Sequence, residues 1–350
     1  MKLVNKRGFE MAIDFKAALE EKKKITYDEI EKYLPTKEPK GHYDAVKEYP
    51  SRKGKALRPT LLLLACEAFG GNPSNAVKTA AAMQTSEDWL LIHDDFEDDS
   101  DERRGKPALH KMYGSEIAVN AGDALHMMQW KMLADNICVL NEKTVKRLFD
   151  TMYDFLMVTA EGQYVEMSFI RDKKVDITDE DFYRIADGKA AWYSIIGPIQ
   201  LGAIIAGASD SDLKKIAEFG LPAGRAFQIQ DDVLNLIGDV KKYGKEIGGD
   251  VLEGKRTLIF AHLIRSCSPD EKKKIIGIYL KPRTEKTEEE KEYVISLMHK
   301  YKSIEYARQK AREFANQALA SFKKNFSKLP GRQAAEILAA GIEFIVTRDK

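Results

Sequence analysis

The chain has 350 residues, and its 56 lysines and arginines against 55 aspartates and glutamates leave a formal charge of +1, so no overall field draws it to nucleic acid or an anionic membrane. Three cysteines, Cys66, Cys138 and Cys267, lie far apart and in no CxxC spacing, which excludes a disulfide framework and reads as buried thiols in a reducing compartment. Length admits either two domains or one large helical domain.

The segment Met1 to Lys24 is too charged for a secretory leader, and Arg348-Asp349-Lys350 offers no prenylation or retention signal, so a cytoplasmic protein is expected. Residues 1–45 read as a peripheral N-terminal helical region. In Gly54-Lys55-Ala56-Leu57-Arg58-Pro59 glycine and proline bracket a helix start, which favours anions, with Lys55 and Arg58 three apart on one side. Turn signals at Gly70-Gly71-Asn72-Pro73 close that helix.

The apolar run Trp89 to Ile92 then leads into His93-Asp94-Asp95-Phe96-Glu97-Asp98-Asp99. On a helix, Asp94 and Asp98 stand one above the other. Such like charges repel by roughly 0.2 to 0.5 kcal/mol per exposed pair, and by more beside hydrophobic neighbours, where the effective dielectric falls. A bound cation relieves that repulsion. Arg103-Arg104-Gly105-Lys106-Pro107 comes directly after, and paired arginines make the forked, charge-assisted bonds that suit phosphate oxygens.

No proline occurs between Pro107 and Pro198, and Leu148, Met152, Phe155, Leu156 and Thr159 repeat at helical period, so this interval is expected to be almost wholly helical. The longest apolar stretch, Trp192 to Ala208, is too short for a bilayer and is interrupted by Gly197, Pro198 and Gly202; it reads as a core helix, with no membrane span expected. Further turn signals fall at Gly207, Gly220-Leu221-Pro222 and Gly248-Gly249-Asp250. Between the last two lies a second acidic stretch, Gln230-Asp231-Asp232-Val233-Leu234-Asn235, with Asp231 and Asn235 one turn apart. The run Glu285 to Glu292 reads as a solvated face and Lys281 to Lys291 as peripheral. With no strand alternation, linker or fixed-period repeat, an all-α single domain over residues 1–350 is the economical reading.

No cysteine sits near either acidic stretch, and His93 points away from the line of Asp94 and Asp98. Oxygen donors remain, which favour Mg2+ or Mn2+ over Zn2+. Around them Lys55, Arg58, Arg103, Arg104, Lys189, Lys245 and Lys255 describe a site for two diphosphates.

These ordered motifs, together with Gly162-Gln163 and Phe227-Gln228-Ile229, run from Ser51 to Gly254 and resemble the trans-type isoprenyl diphosphate synthases, head-to-tail prenyltransferases that make farnesyl and geranylgeranyl diphosphate. The resemblance implies an isoprenoid synthase-type helical barrel around a central cavity, the two Asp motifs facing across its mouth, and a homodimer. It implies about three Mg2+ ions, with Asp94, Asp98 and Asp231 as principal ligands and Asp95 and Asp232 in support. Arg103, Lys189 and Lys245 would contact the allylic diphosphate, whether dimethylallyl, geranyl or farnesyl. Lys55, Arg58 and Arg104 would hold isopentenyl diphosphate, Gln228 would brace the allylic side, and Lys255 would help close the site. Metal ions and cations would stabilise the departing diphosphate, the isopentenyl double bond would attack the allylic cation, and released diphosphate would take the proton. Such chemistry needs charge, orientation and water exclusion rather than a nucleophile, so His93 and Ser86 receive no catalytic role.

The chain departs from the pattern at three positions. Glu87 stands where the family commonly presents His or Gln to isopentenyl diphosphate; it is expected to pair with Lys55 or Arg58 and act indirectly, the alternative being a rearranged homoallylic pocket. Ala190 replaces the usual threonine after Lys189, leaving a backbone carbonyl to serve, and Asn235 replaces a third aspartate. Five residues before Asp94, Trp89 is expected to project into the cavity that takes the growing tail. An aromatic there with the smaller Leu90 beside it fits family members that make geranylgeranyl diphosphate (C20), with farnesyl diphosphate (C15) as the alternative and simple core packing of Trp89 as the competing reading. A class I terpene cyclase would want an Asn/Ser/Glu-type second motif and no second diphosphate site. A noncatalytic regulatory subunit would have lost one Asp motif, and a di-iron bundle would need Glu-x-x-His pairs, which are absent.

Overall fold

Apolar residues recurring at helical period, punctuated by glycine and proline, give the chain one kind of element. The computed structural model describes residues 2–237 and 247–347, and among these the chain is helical nearly throughout, as its periodicity predicts. The helices that position the site are α1 (Lys2–Glu31), α2 (Lys40–Ser51), α3 (Leu57–Ala68), α4 (Val77–Glu97), α5 (Leu109–Tyr113), α6 (Ser115–Ala134), α7 (Glu142–Arg171), α8 (Asp179–Ala186), α9 (Gly197–Ile205) and α10 (Asp210–Ile237). Asp187–Ile196, between α8 and α9, winds as a π-helix. The described residues of Met1–Asp154, Ser194–Ala217 and Phe322–Ile342 form one compact unit, and the described residues of Phe155–Tyr193, Glu218–Ser321 and Glu343–Lys350 form a second.

In the first unit α4 packs along α6, and α3 along α9. The second pairing requires glycine at 202, because a Cβ there would lie 2.0 Å from the Leu62 carbonyl oxygen. Ala45, Val46, Tyr49, Ile92, Leu109, Ala118, Ala121 and Leu125 form a core between α2, α4, α5 and α6. The N-terminal region is not peripheral from Phe15 onward: Phe15, Tyr27 and Ile30 of α1 are buried, and α1 packs on α3 and α4.

The strand-free expectation meets one small exception. Glu102–Arg103 (β1) pairs antiparallel with Lys106–Pro107 (β2), joined by Arg104 and Gly105, both at positive φ (+53° and +73°). Two left-handed residues in succession make the tight primed turn that matches strand twist. The hairpin buries the Arg103 side chain while leaving Glu102 and Lys106 exposed.

The second unit is centred on Ile229, Val233 and Leu236 of α10, packed with Leu258, Phe260, Ile264, Ile275 and Val294 from later helices. Phe260 stacks on Tyr279 with ring centroids 4.1 Å apart. Gly220-Leu221-Pro222 does not make the turn its composition suggests: α10 runs through Pro222 without a break. A proline inside a helix costs about 3 kcal/mol, and burial of Phe219, Ala223, Ala226 and Ile229 on either side of it offsets that cost. The acidic run Glu285 to Glu292 is largely exposed, as read from sequence, and it also starts a helix. Thr287 and Glu290 form a capping box, and Glu288, Glu289 and Glu290 fill the first turn of Glu288–Lys300, where negative charge complements the helix dipole. The Lys281 to Lys291 segment is not wholly peripheral, because Lys286 Nζ donates to the Leu252 carbonyl at 2.6 Å. Of the thiols, Cys66 is buried and pushed up to about 12 by burial; Cys138 is exposed and Cys267 half-buried, so only one fits the expectation of buried thiols. None of the described helices is long and apolar enough to cross a membrane.

Candidate active site

The first acidic motif closes α4. The Asp98 amide donates to the Asp94 carbonyl at 2.9 Å, which places the two side chains one turn apart, both half-buried. Asp95 turns inward, fully buried. Arg103 Nε donates to its two oxygens at 2.9 and 3.0 Å and Nη2 donates to Oδ1, while the Tyr49 hydroxyl donates to Oδ2 at 2.5 Å. Arg103 Nη2 also lies 3.6 Å from Asp94. The hairpin turn therefore swings Arg103 back onto the motif that precedes it, and Arg103 acts here as the brace of Asp95.

Arg104 leads to a second charged group. Its Nη1 donates to Asp88 at 2.8 Å and to the Tyr49 carbonyl at 2.9 Å, and its Nη2 lies 3.5 Å from Glu87. Glu87 also sits 3.1 Å from Arg58 Nη1, and Arg58 Nη2 donates to Ser194 Oγ at 2.8 Å. Glu87 thus pairs with Arg58, as expected, and with Arg104 as well. Burial pushes Glu87 up, but the two guanidiniums outweigh it and hold the carboxyl below its ordinary range. Asp88 is pushed up to about 6 by burial, with Arg104 opposing and the Glu87 charge adding. Lys55 stands exposed one residue after the buried Gly54.

The second motif lines a recess of about 50 Å³ in the second unit, with Glu166, Lys189, Gln228, Asp231, Asp232, Asp250, Lys255, Arg256 and Thr257 in its wall. Lys189 Nζ donates to Glu166 at 2.7 Å, and Lys255 Nζ lies 2.7 Å from Glu253 and 3.9 Å from Asp250. Gln228 Nε2 donates to Asp232 Oδ1 at 2.8 Å, so the glutamine braces the motif directly. Burial, then the neighbouring Asp250, push the Asp232 carboxyl well above its ordinary value. Asn235 does not face water as its polarity suggests: its Oδ1 accepts from the Asp250 amide at 3.1 Å, and its carbonyl accepts from Gly248 at 2.7 Å, which holds the glycine turn against α10. Lys245 lies outside the described residues.

Lys189 and Ala190 ride on the π-helical segment. A Cβ at Gly162 would lie 2.6 Å from the Lys189 amide nitrogen, and one at Gly224 would lie 2.2 Å from the Ala191 Cα. Two glycines on α7 and α10 thereby admit the backbone that carries the lysine, and Ala190 is itself buried. Trp89 and Leu90 are half-buried on α4; the Trp89 indole N–H donates to Gln129 Oε1 at 2.6 Å.

The fit of a metal can be judged on the donors themselves. Among the described residues no three side chains of the usual ligand types already converge on one point. Asp232 Oδ2 is nevertheless buried with no hydrogen-bond partner among the described residues, and Asp231, Asp250 and Glu166 line the same recess. Buried, partnerless carboxylate oxygen calls for positive charge, and an all-oxygen donor set suits a hard divalent cation. Sequence reading missed Asp88, Tyr49, Glu166 and Asp250. Only Asp250 carried a local signal, its place directly after Gly248-Gly249.

The polyprenyl synthetase family matches residues 39–298. The chain is 34% identical over 328 residues to a geranylgeranyl diphosphate synthase of Sulfolobus acidocaldarius, covering 92% of this chain and 95% of that protein. It is 30% identical over 349 residues to a geranylfarnesyl diphosphate synthase of Natronomonas pharaonis, covering 95% and 97%. The crystal structure of geranylgeranyl pyrophosphate synthetase from Pyrococcus horikoshii superposes with a TM-score of 0.82 at 32% identity, over 96% of this chain and 99% of that one. On these matches the chain belongs to the polyprenyl synthetase family, as a trans-isoprenyl diphosphate synthase.

Proposed function

We propose that this synthase is a single catalytic domain that condenses isopentenyl diphosphate with allylic diphosphates to geranylgeranyl diphosphate, in the cytoplasm and as a homodimer. The observation that carries the reading is the recess of the second motif, where carboxylates of Asp231, Asp232 and Asp250 stand beside the ammonium groups of Lys189 and Lys255. Acid and base in one small recess suit a polyanion that brings its own cations. About three divalent ions, Mg2+ with Mn2+ as substitute, would be held by Asp94, Asp98 and Asp231 and would neutralise the diphosphate as it leaves.

The chain's own groups do the rest. Arg103 and Tyr49 lock Asp95 and so set the end of α4 from which Asp94 and Asp98 project. Gln228 fixes Asp232, and Arg103, Lys189 and Lys245 meet the allylic diphosphate, with Lys255 closing over it. Lys55, Arg58 and Arg104 bind isopentenyl diphosphate. Trp89, with the smaller Leu90 next to it, stops the tail. Dimerisation is supported by the apolar side chains that α6 and α7 leave 45–65% exposed, namely Ile117, Met127, Tyr153, Met157 and Tyr164.

The test combines purified protein, Mg2+, labelled isopentenyl diphosphate and each of the dimethylallyl, geranyl and farnesyl primers, with chromatographic sizing of the dephosphorylated products. A dominant C20 alcohol from all three supports the reading. A C15 or C25 end point overturns the assigned length, cyclic products overturn the reaction, and no product overturns both.

A further inference from the structure

Trp89 is held more firmly than a core aromatic needs. Its indole N–H donates to Gln129 Oε1 at 2.6 Å. Its ring lies 4.5 Å from that of His126 at 32°, and His93 meets it edge-on at 5.6 Å. His126 Nε2 in turn accepts from the Trp130 indole at 2.9 Å, and Trp130 stacks on Phe149. An indole nitrogen only donates, so the Gln129 amide must present its oxygen to Trp89.

The other end of that amide shows the cost. Gln129 is fully buried on α6, and its Nε2 has no hydrogen-bond partner among the described residues. A buried donor left unmade is destabilising, and leucine or methionine would fill nearly the same space without that penalty. Packing therefore does not explain the glutamine; the bond to Trp89 does.

We infer that Gln129 is a positioning residue for product length, its amide oxygen fixing the Trp89 indole in the orientation that ends chain growth. The inference rests on the reading of Trp89 as the stop. Freed of the bond, the indole turns within its slot and admits further isoprene units. Loss of one hydrogen bond of ordinary strength corresponds to roughly a fivefold rise in the ratio of longer products to the wild-type product.

The experiment sizes products from the full-length enzyme with Mg2+, isopentenyl diphosphate and farnesyl diphosphate for Trp89→Ala, Gln129→Leu, Gln129→Met, Gln129→Glu and the double variant Trp89→Ala/Gln129→Leu. Circular dichroism melts select the folded proteins, and the two apolar variants cover each other. Expected are longer products from Trp89→Ala and, to a lesser degree, from Gln129→Leu or Gln129→Met. Gln129→Glu, which keeps an acceptor oxygen, retains the wild-type distribution, and the double variant matches Trp89→Ala because both act through one side chain. Wild-type products from the folded apolar variants while Trp89→Ala lengthens them would overturn the inference and leave the Trp89 reading standing. Unchanged products from Trp89→Ala would bring down both.

Discussion

Replacing Glu87 by glutamine removes one carboxylate from a group in which Arg58, Arg104, Glu87 and Asp88 balance to zero at neutral pH. Neither guanidinium loses its mooring: Arg104 keeps Asp88 at 2.8 Å and the Tyr49 carbonyl at 2.9 Å, and Arg58 keeps Ser194 Oγ at 2.8 Å. The arginines therefore stay in place while the group gains a net positive charge. A diphosphate bound on their outer side, with its charge about 7 Å from Glu87, is repelled by roughly 0.6 kcal/mol per unit charge even at the dielectric of water. For two charges the sum is about 1.2 kcal/mol, or roughly sevenfold in affinity. Glu87→Gln is accordingly expected to lower the KM for isopentenyl diphosphate about sevenfold, with the KM for the allylic primer little changed. The variant also melts lower, by up to about 3 kcal/mol, since one partner of a mostly buried ion pair is gone. Initial rates against isopentenyl diphosphate at saturating primer, beside a melting curve, provide the measurement. An unchanged KM in a folded variant would show that Glu87 does not face the substrate, and a raised KM would show that the arginines depend on it for their position.

Three other outcomes are expected from the same contacts. Asp88 has its carboxyl raised from 3.8 to about 6, so the folded state holds the proton more tightly; the stability this confers is complete below pH about 4 and is lost as pH rises through about 6. Unfolding titrations at pH 4 and pH 7 should therefore show wild type losing about 2.4 kcal/mol more over that interval than Asp88→Asn, and parallel curves would refute the assignment. Gly224→Ala places a methyl 2.2 Å from the Ala191 Cα; it should destabilise by about 1–3 kcal/mol and lower kcat by displacing the segment that carries Lys189, whereas a wild-type melt would mean the two backbones part easily. Arg103→Ala leaves Asp95 buried without its cation, for a loss of about 3–5 kcal/mol in unfolding free energy; a loss under about 1 kcal/mol would show that Tyr49 alone suffices.

The residues that read well from sequence are those whose partners are near in the chain. Asp94 over Asp98 is a matter of helical period alone, and the glycine and proline around Arg58 announced a helix start that the structure contains. Asp88 gave no sign, because what makes it special is Arg104, sixteen positions on and returned to it by a hairpin too short to show strand alternation. Glu166 likewise gains meaning only from Lys189, 23 residues away. Pro222 misled for the opposite reason: its local preference for a turn is real, and tertiary burial along α10 overrode it. Composition could sort the thiols no better, since exposure of Cys138 depends on where the chain turns after α6 rather than on cysteine's own preferences.

The ten-residue π-helical stretch from Asp187 to Ile196 bears on how this part of the protein tolerates change. Each wide turn holds about one residue more than an α-turn, so a single deletion there can be absorbed by tightening the coil instead of breaking it. The helix would survive, but Lys189 would rotate by roughly a quarter turn relative to α9. Length variation, more than side-chain replacement, is thus the route by which this stretch could retune the enzyme, and one-codon deletion series would explore it where point mutagenesis cannot.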